Sequence, residues 1–189
     1  MKVKFLFLTF LLLFARGCDF YSTSLWFFQE NGMAGEQNPL TRFFGVGWNG
    51  LLLSNGILVA AIVFALYYYF FRYKSPRDLA YKPTNTIDFA SVLYFGEPSK
   101  LYQLLYKSPK DKKIAFAHTG YVMTVTVIVG SFLATFHNIC QFYGFAFYDQ
   151  YRDIVGRPQY VIYALIGLTA MLAARHVWAL EFNKYRQMG

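Results

Sequence analysis

Residues 51–71 read LLLSNGILVAAIVFALYYYFF, twenty-one residues without one charged side chain. Few folds can use such a run. As an α-helix it is about 30 Å long, the thickness of a bilayer's hydrocarbon core. In lipid a single segment must satisfy its own backbone, and a helix does so. Three more stretches carry comparable apolar character: 4–28, 114–136 and 158–180. The expectation is an all-α integral membrane four-helix bundle, with residues 1–189 as one transmembrane domain. A composition of 56% hydrophobic and 21% aromatic residues belongs to that class and not to a soluble domain.

The net charge of +8 raises nucleic acid as a partner, but its distribution argues against it. Residues 72–113 hold nine Lys and Arg against four acids. The segments 29–50 and 137–157 together hold three, Arg42, Arg152 and Arg157. Basic residues gathered in one loop between apolar runs are an orientation signal. The loop 72–113 and both termini are therefore expected on the cytoplasmic side of the inner (plasma) membrane, with four passes. The partners implied are the lipid bilayer and a homo-oligomer or larger membrane complex, with no nucleic acid.

The start, MKVKFLFLTFLLLFARGC, has the basic end, apolar run and small residues of a secretory or lipoprotein signal. Arg16 sits just before the would-be cleavage point, however, and apolar residues resume at once in DFYSTSLWFF. Residues 4–28 are read as one retained span. Cys18 and Cys140 form no metal or redox motif. A disulfide between them is open, and two free structural thiols are the simpler reading.

Small residues predict where helices touch. Gly56 and Ala60 give the second span a flat face, and Gly167, Ala170 and Ala174 do so for the fourth. In the third, Gly120, Thr124, Ser131, Thr135 and Asn138 fall within about 60° of a helical wheel. In the basic loop, Tyr73-Lys74-Ser75-Pro76 and Tyr106-Lys107-Ser108-Pro109 each fit a helix start, with Ser as N-cap and Pro in the first turn. Leu101, Leu104 and Leu105 share a face, which suits a short amphipathic helix on the inner leaflet or a connector packed on the bundle.

The polar centre is expected in Arg16–Pro39, RGCDFYSTSLWFFQENGMAGEQNP. Arg16, Asp19 and Thr23 share one helix face, and charges at that depth are costly, about 2.5–3.5 kcal/mol each, and usually mark function. Arg16 and Asp19, spaced i,i+3, partly neutralise each other. Glu36 and Asn38 follow in the outer loop, and Asn138 ends the polar stripe of the third span. Arg16, Asp19, Thr23, Glu36, Asn38 and Asn138 are the polar-site candidates. Asp19 and Glu36, with His137 swung toward them, could hold a divalent metal. The structural alternative pairs Asp19 with Arg16 and uses Glu36 and Asn38 to pin the turn before Pro39. His118 and His176, at similar depth on different spans, are the residues a b-type haem would use. The wheel turns both away from the small-residue faces, so interfacial histidines are the plainer reading. No H-E-x-x-H, G-x-S-x-G, P-loop or C-x-x-C pattern is present.

The D-x3-T pattern of Asp19 and Thr23, followed by Glu36-Gln37-Asn38-Pro39, resembles a family of small uncharacterised prokaryotic polytopic membrane proteins. The resemblance covers roughly residues 10–70 and implies a membrane fold without lending a reaction. The leading functional expectation is a non-enzymatic subunit or small carrier with a protonatable site near the outer leaflet. The competing expectations are a membrane-embedded enzyme acting on a lipid-linked substrate with a divalent metal, and a haem b electron-transfer subunit.

Overall fold

The computed structural model describes residues 1–29, 45–76, 78–79 and 81–188. Among them every regular element is helical. The α-helices are α1 (Lys2–Phe27), α2 (Trp48–Tyr67), α3 (Thr86–Phe95), α4 (Lys112–Phe142), α5 (Ala146–Val155) and α6 (Pro158–Met188). A π turn, Tyr68–Arg72, continues α2, and a short 3₁₀ helix, Leu101–Leu105, follows α3. Three helices are long and apolar enough to cross a membrane: Trp48–Arg72, Lys112–Phe142 and Pro158–Gln187. They point to a membrane protein. The charged α1, with Lys2, Lys4, Arg16 and Asp19, is not one of the three.

α4 is the hub. α1 and α2 pack on it, and α6 packs on it and on α3. Arg16 meets Ser131 and Thr23 meets Asn138, so α1 runs parallel to α4. Gly120 meets Ala65, and Gly130 meets Ile166, so two membrane-length helices cross α4 at different levels. The expected stripe on α4 is the packed face: Gly120, Thr124 and Ser131 are buried. A Cβ at Gly120 would lie 2.4 Å from the Ala65 carbonyl carbon, so only glycine lets α2 approach this closely. The Thr124 and Thr135 hydroxyls donate to carbonyls one turn back, each at 2.7 Å, so neither of these two is left an unsatisfied donor.

The other small-residue faces correct the sequence reading. Gly56 and Ala60 are exposed, as is Gly167, and a Cβ at either glycine would meet nothing within 4 Å. α6 packs through Ala173 and Val177 instead. Small residues permit close approach without requiring it, and here the polar α4 stripe takes the contacts. Between α1 and α2 a groove of about 830 Å³ stays open, lined mostly by apolar side chains, with Gly17, Gly56, Ala60, Thr9 and Arg16 also in its lining.

The basic segment 72–113 divides in two: α3 packs into the bundle, whereas Tyr102, Leu104, Leu105 and Tyr106 in and beside the 3₁₀ helix are exposed. α3 is buried along nearly its whole length, with Phe89 and Ala90 fully enclosed. Phe89, Leu93, Tyr94 and Phe95 form a cluster with Phe182 of α6. Asn85 caps α3 by accepting from the Asp88 amide at 2.9 Å, and Gly96, at φ 77°, closes it in the left-handed region. Leu101 packs on this cluster, whereas Leu105 is exposed. The serine caps are also corrected. α4 starts at Lys112 under Asp111, whose carboxylate accepts from the Lys113 and Ile114 amides, and residues 73–76 are not helical. A carboxylate at the cap suits the positive end of a helix dipole better than the hydroxyl of Ser108. The expected outer loop 137–157 is largely helical too: α4 runs on to Phe142 and α5 follows, with Tyr148 buried.

Candidate functional site

Two polar clusters occupy the helix interfaces. The first was expected. From α1, the Arg16 guanidinium pairs with Asp19 one turn on, donates across to Asn55 Oδ1 of α2, and reaches Ser131 Oγ of α4 at 3.2 Å. Asn55 Nδ2 donates to the Leu51 carbonyl of its own helix at 2.9 Å, which leaves Oδ1 turned toward the arginine. The Phe20 ring lies 5.1 Å from the guanidinium carbon. Two turns toward the end of α1, Asn138 Nδ2 donates to Ser22 Oγ at 3.2 Å and to Thr23 Oγ1 at 3.4 Å, and Trp26 Nε1 donates to the Asn138 carbonyl at 3.2 Å. Arg16, Asp19, Thr23 and Asn138 thus lie along one α1–α4 seam. Glu36 and Asn38 fall outside the described residues.

His137 is tied to the Tyr148 hydroxyl of α5, against the expectation that it swings toward Asp19. Among the described residues no three His, Cys, Asp or Glu side chains converge as a metal site. Both cysteines are free thiols, Cys140 buried and Cys18 partly so.

The second cluster was missed. At the opposite end of the helices, Glu181 of α6 is 0% exposed and His118 of α4 is 2% exposed. Around them stand Tyr69 of the π turn, Tyr73 just beyond it, Tyr94 of α3 and Trp178 of α6. Tyr69 donates to Glu181 Oε1 at 3.0 Å, and Lys184 donates to the same oxygen at 2.6 Å. Trp178 Nε1 donates to the Tyr94 hydroxyl at 3.0 Å, and that hydroxyl lies 2.7 Å from His118 Nδ1. The π turn bonds the Tyr73 amide to the Tyr68 carbonyl at 2.8 Å and stacks Tyr69 on Tyr73, 5.9 Å apart and 14° from parallel. Burial pushes the Tyr94 phenol up to about 12, partly offset by the bond from Trp178. Burial, then the charge of Glu181, raises Tyr73 well above the usual phenol range.

His118 is therefore an interior residue, not an interfacial one, because α3 and the π turn cover the face that a helical wheel leaves open. His176 is exposed and stacks on Tyr121, 6.0 Å between rings. Ring contacts run from His118 through Tyr69 to Tyr121 and on to His176, so aromatic rings fill the space between the two histidines. The signal for Glu181 was present: Ala173, Val177 and Glu181 continue one line at i,i+4 spacing. It was hidden by ending the span at residue 180.

Comparison with protein-family models, with curated proteins and with solved structures finds no match to this chain.

Proposed function

We propose that the chain is a four-span protein of the inner membrane, in which α1 is the fourth span and Arg16–Asp19 the polar centre of a small carrier or membrane subunit. The observation that carries this is the tie of Arg16 to α1, α2 and α4 at once, through Asp19, Asn55 and Ser131. A guanidinium held on three helices beside an apolar groove fixes α1 alongside the membrane-length α4. The parallel course of α1 and α4 supports a fourth pass. Nine basic residues in 72–113 against three in 29–50 and 137–157 support a cytoplasmic basic segment. A cysteine introduced at Lys100 should then resist an impermeant reagent added from outside, and ready labelling would reverse the topology.

The functional test is flux in vesicles. Purified protein goes into liposomes carrying an internal pH dye, under a potassium diffusion potential. Wild-type vesicles should pass protons faster than protein-free ones, and Asp19→Asn should remove the difference. Equal rates for wild-type and empty vesicles, or full activity of an Arg16→Gln/Asp19→Asn double variant, would refute the carrier reading.

A further inference from the structure

The basic segment turns one part of itself outward. Tyr102, Leu104, Leu105 and Tyr106 fall within five residues of one another, and Leu105 is 88% and Tyr106 70% exposed. Single exposed leucines are ordinary on a protein surface, but a contiguous apolar patch rimmed by charge marks an interaction site. The rim here is basic. Lys100 and Lys107 bracket the patch, and Lys110, Lys112 and Lys113 follow it. The acids nearby are Glu97 and Asp111, and the Asp111 carboxylate is taken up by the amides that open α4.

The patch is held in place from both sides. The Ser91 hydroxyl of α3 donates to the Glu97 carbonyl at 2.7 Å and accepts from the Lys100 amide at 2.6 Å. Beyond the patch, the Lys110 amide donates to the Tyr94 carbonyl of α3 at 2.8 Å. Both roots of residues 97–110 are thus tied to one buried helix. Leu101 turns inward, onto the cluster of Phe89 and Phe182 that also receives Ile114 of α4. Ile114 is where α4 passes from Lys112 and Lys113 to apolar residues. The 3₁₀ helix therefore lies level with the end of a membrane-length helix, where hydrocarbon gives way to headgroups.

We propose that Tyr102, Leu104, Leu105 and Tyr106 form a docking tip that enters the leaflet beside the basic segment, with Lys100 and Lys107 against the phosphates of anionic lipids. Charge chooses the partner. An apolar groove on another protein would accept the leucines but gives the lysines nothing to meet. An anionic leaflet takes both: apolar side chains sink below the headgroups, and lysine stems carry their ammonium groups back to phosphate level. Tyrosine suits the same depth, with an apolar ring and a polar end. The tip needs only that α4 crosses the bilayer, so it stands or falls apart from the carrier reading.

The test is spin-label accessibility on the full chain, one copy per lipid nanodisc. Cys18 and Cys140 are free thiols and are replaced by alanine. The label goes on Leu105→Cys in one variant and on Glu97→Cys in another. In discs containing phosphatidylglycerol, the label at position 105 should collide more often with oxygen, which concentrates in lipid, than with a water-soluble nickel chelate. The label at position 97 should show the reverse. Lys100→Gln with Lys107→Gln should shift the balance of the first label between lipid and water roughly tenfold toward water. If the cysteine-free chain fails to fold, hydrogen exchange on the unaltered chain decides instead: amides 103–107 should exchange more slowly in phosphatidylglycerol discs than in phosphatidylcholine ones. A label at position 105 as open to nickel as that at 97, or a tip indifferent to lipid charge, overturns the proposal. Protection that appears only when two copies share a disc assigns the patch to a second copy and overturns it too.

Discussion

The two polar clusters handle buried charge in opposite ways. Arg16 brings its own counter-charge from the same helix and reaches Asn55 and Ser131, one from each neighbour, while its buried Nε finds no partner among the described residues. Glu181 brings Lys184 from its own helix too, but only to one oxygen and only from the solvent edge. Its other oxygen and the imidazole beside it are left with hydrogen-bonding capacity unspent. The first arrangement suits clamping helices, since a guanidinium has one charge state. The second gathers the π turn, α3, α4 and α6 around one buried carboxylate and one buried imidazole, through Tyr69, Tyr94 and Trp178.

The largest expected effect bears on the clamp. Arg16→Gln alone leaves Asp19 charged without its guanidinium and should cost about 3–5 kcal/mol, whereas Arg16→Gln with Asp19→Asn should be nearly neutral. Thermal stability in detergent measures both. A double variant as damaged as the single one would mean that the cluster holds the helices through shape and not through charge.

Next is Gly120, which lies on α4 between the two clusters. Gly120→Ala drives a methyl into the backbone of Ala65 and Leu66, with ideal contacts of 2.4–2.7 Å, and should cost about 1–3 kcal/mol. Gly167→Ala, facing open space, should leave the melting temperature unchanged or raise it. Equal effects at the two glycines would remove the close α2–α4 approach from the account.

Smaller again is an alkaline effect confined to the second cluster. The folded Tyr94 phenol titrates at about 12, above the ordinary value of 10.0. A raised pKa means that folding favours the neutral phenol. The stabilisation is complete below about pH 10 and is lost as pH rises toward about 12. Stability measured across that window should fall for wild type and fall less for Tyr94→Phe. Identical slopes would place Tyr94 in contact with solvent.

The smallest effect separates the two partner cations. Lys184→Met removes a half-exposed ammonium and should cost less than about 1 kcal/mol, against the several expected for Arg16. A loss as large as that of Arg16→Gln would make Lys184 a second clamp and end the contrast between the clusters.

The three membrane-length helices and the Arg16–Asp19 pair were legible in the sequence because both are local. Arg16 and Asp19 are three residues apart on one helix, and Gly120, Thr124 and Ser131 announce their shared face by spacing. Asn55 is the one strongly polar side chain in the uncharged run 51–71, and nothing in the spacing says which partner it meets. The second cluster could not be read this way. It joins Tyr69, Tyr94, His118 and Glu181, residues from four segments, and the link is α3, which has too few residues to announce itself as a span. Once α3 covers His118, the exposed side of a helical wheel becomes interior. Gly56 and Gly167 failed for the converse reason: a flat face needs a partner, and α4 had already taken the contacts.

The burial of α3 also has a consequence for synthesis. Phe89 is enclosed largely by Phe182 and Tyr185, side chains of α6, which is made after α4 and α5. While the ribosome is still making α4 and α5, residues 86–95 have been translated but have nothing to close over them. A hydrophobic helix of 10 residues is too short to shelter by crossing the bilayer. It must wait at the membrane surface, or in the hold of a chaperone, until α6 arrives. Closure over α3 therefore follows the synthesis of α6, and the Glu181–His118 cluster comes into being only then.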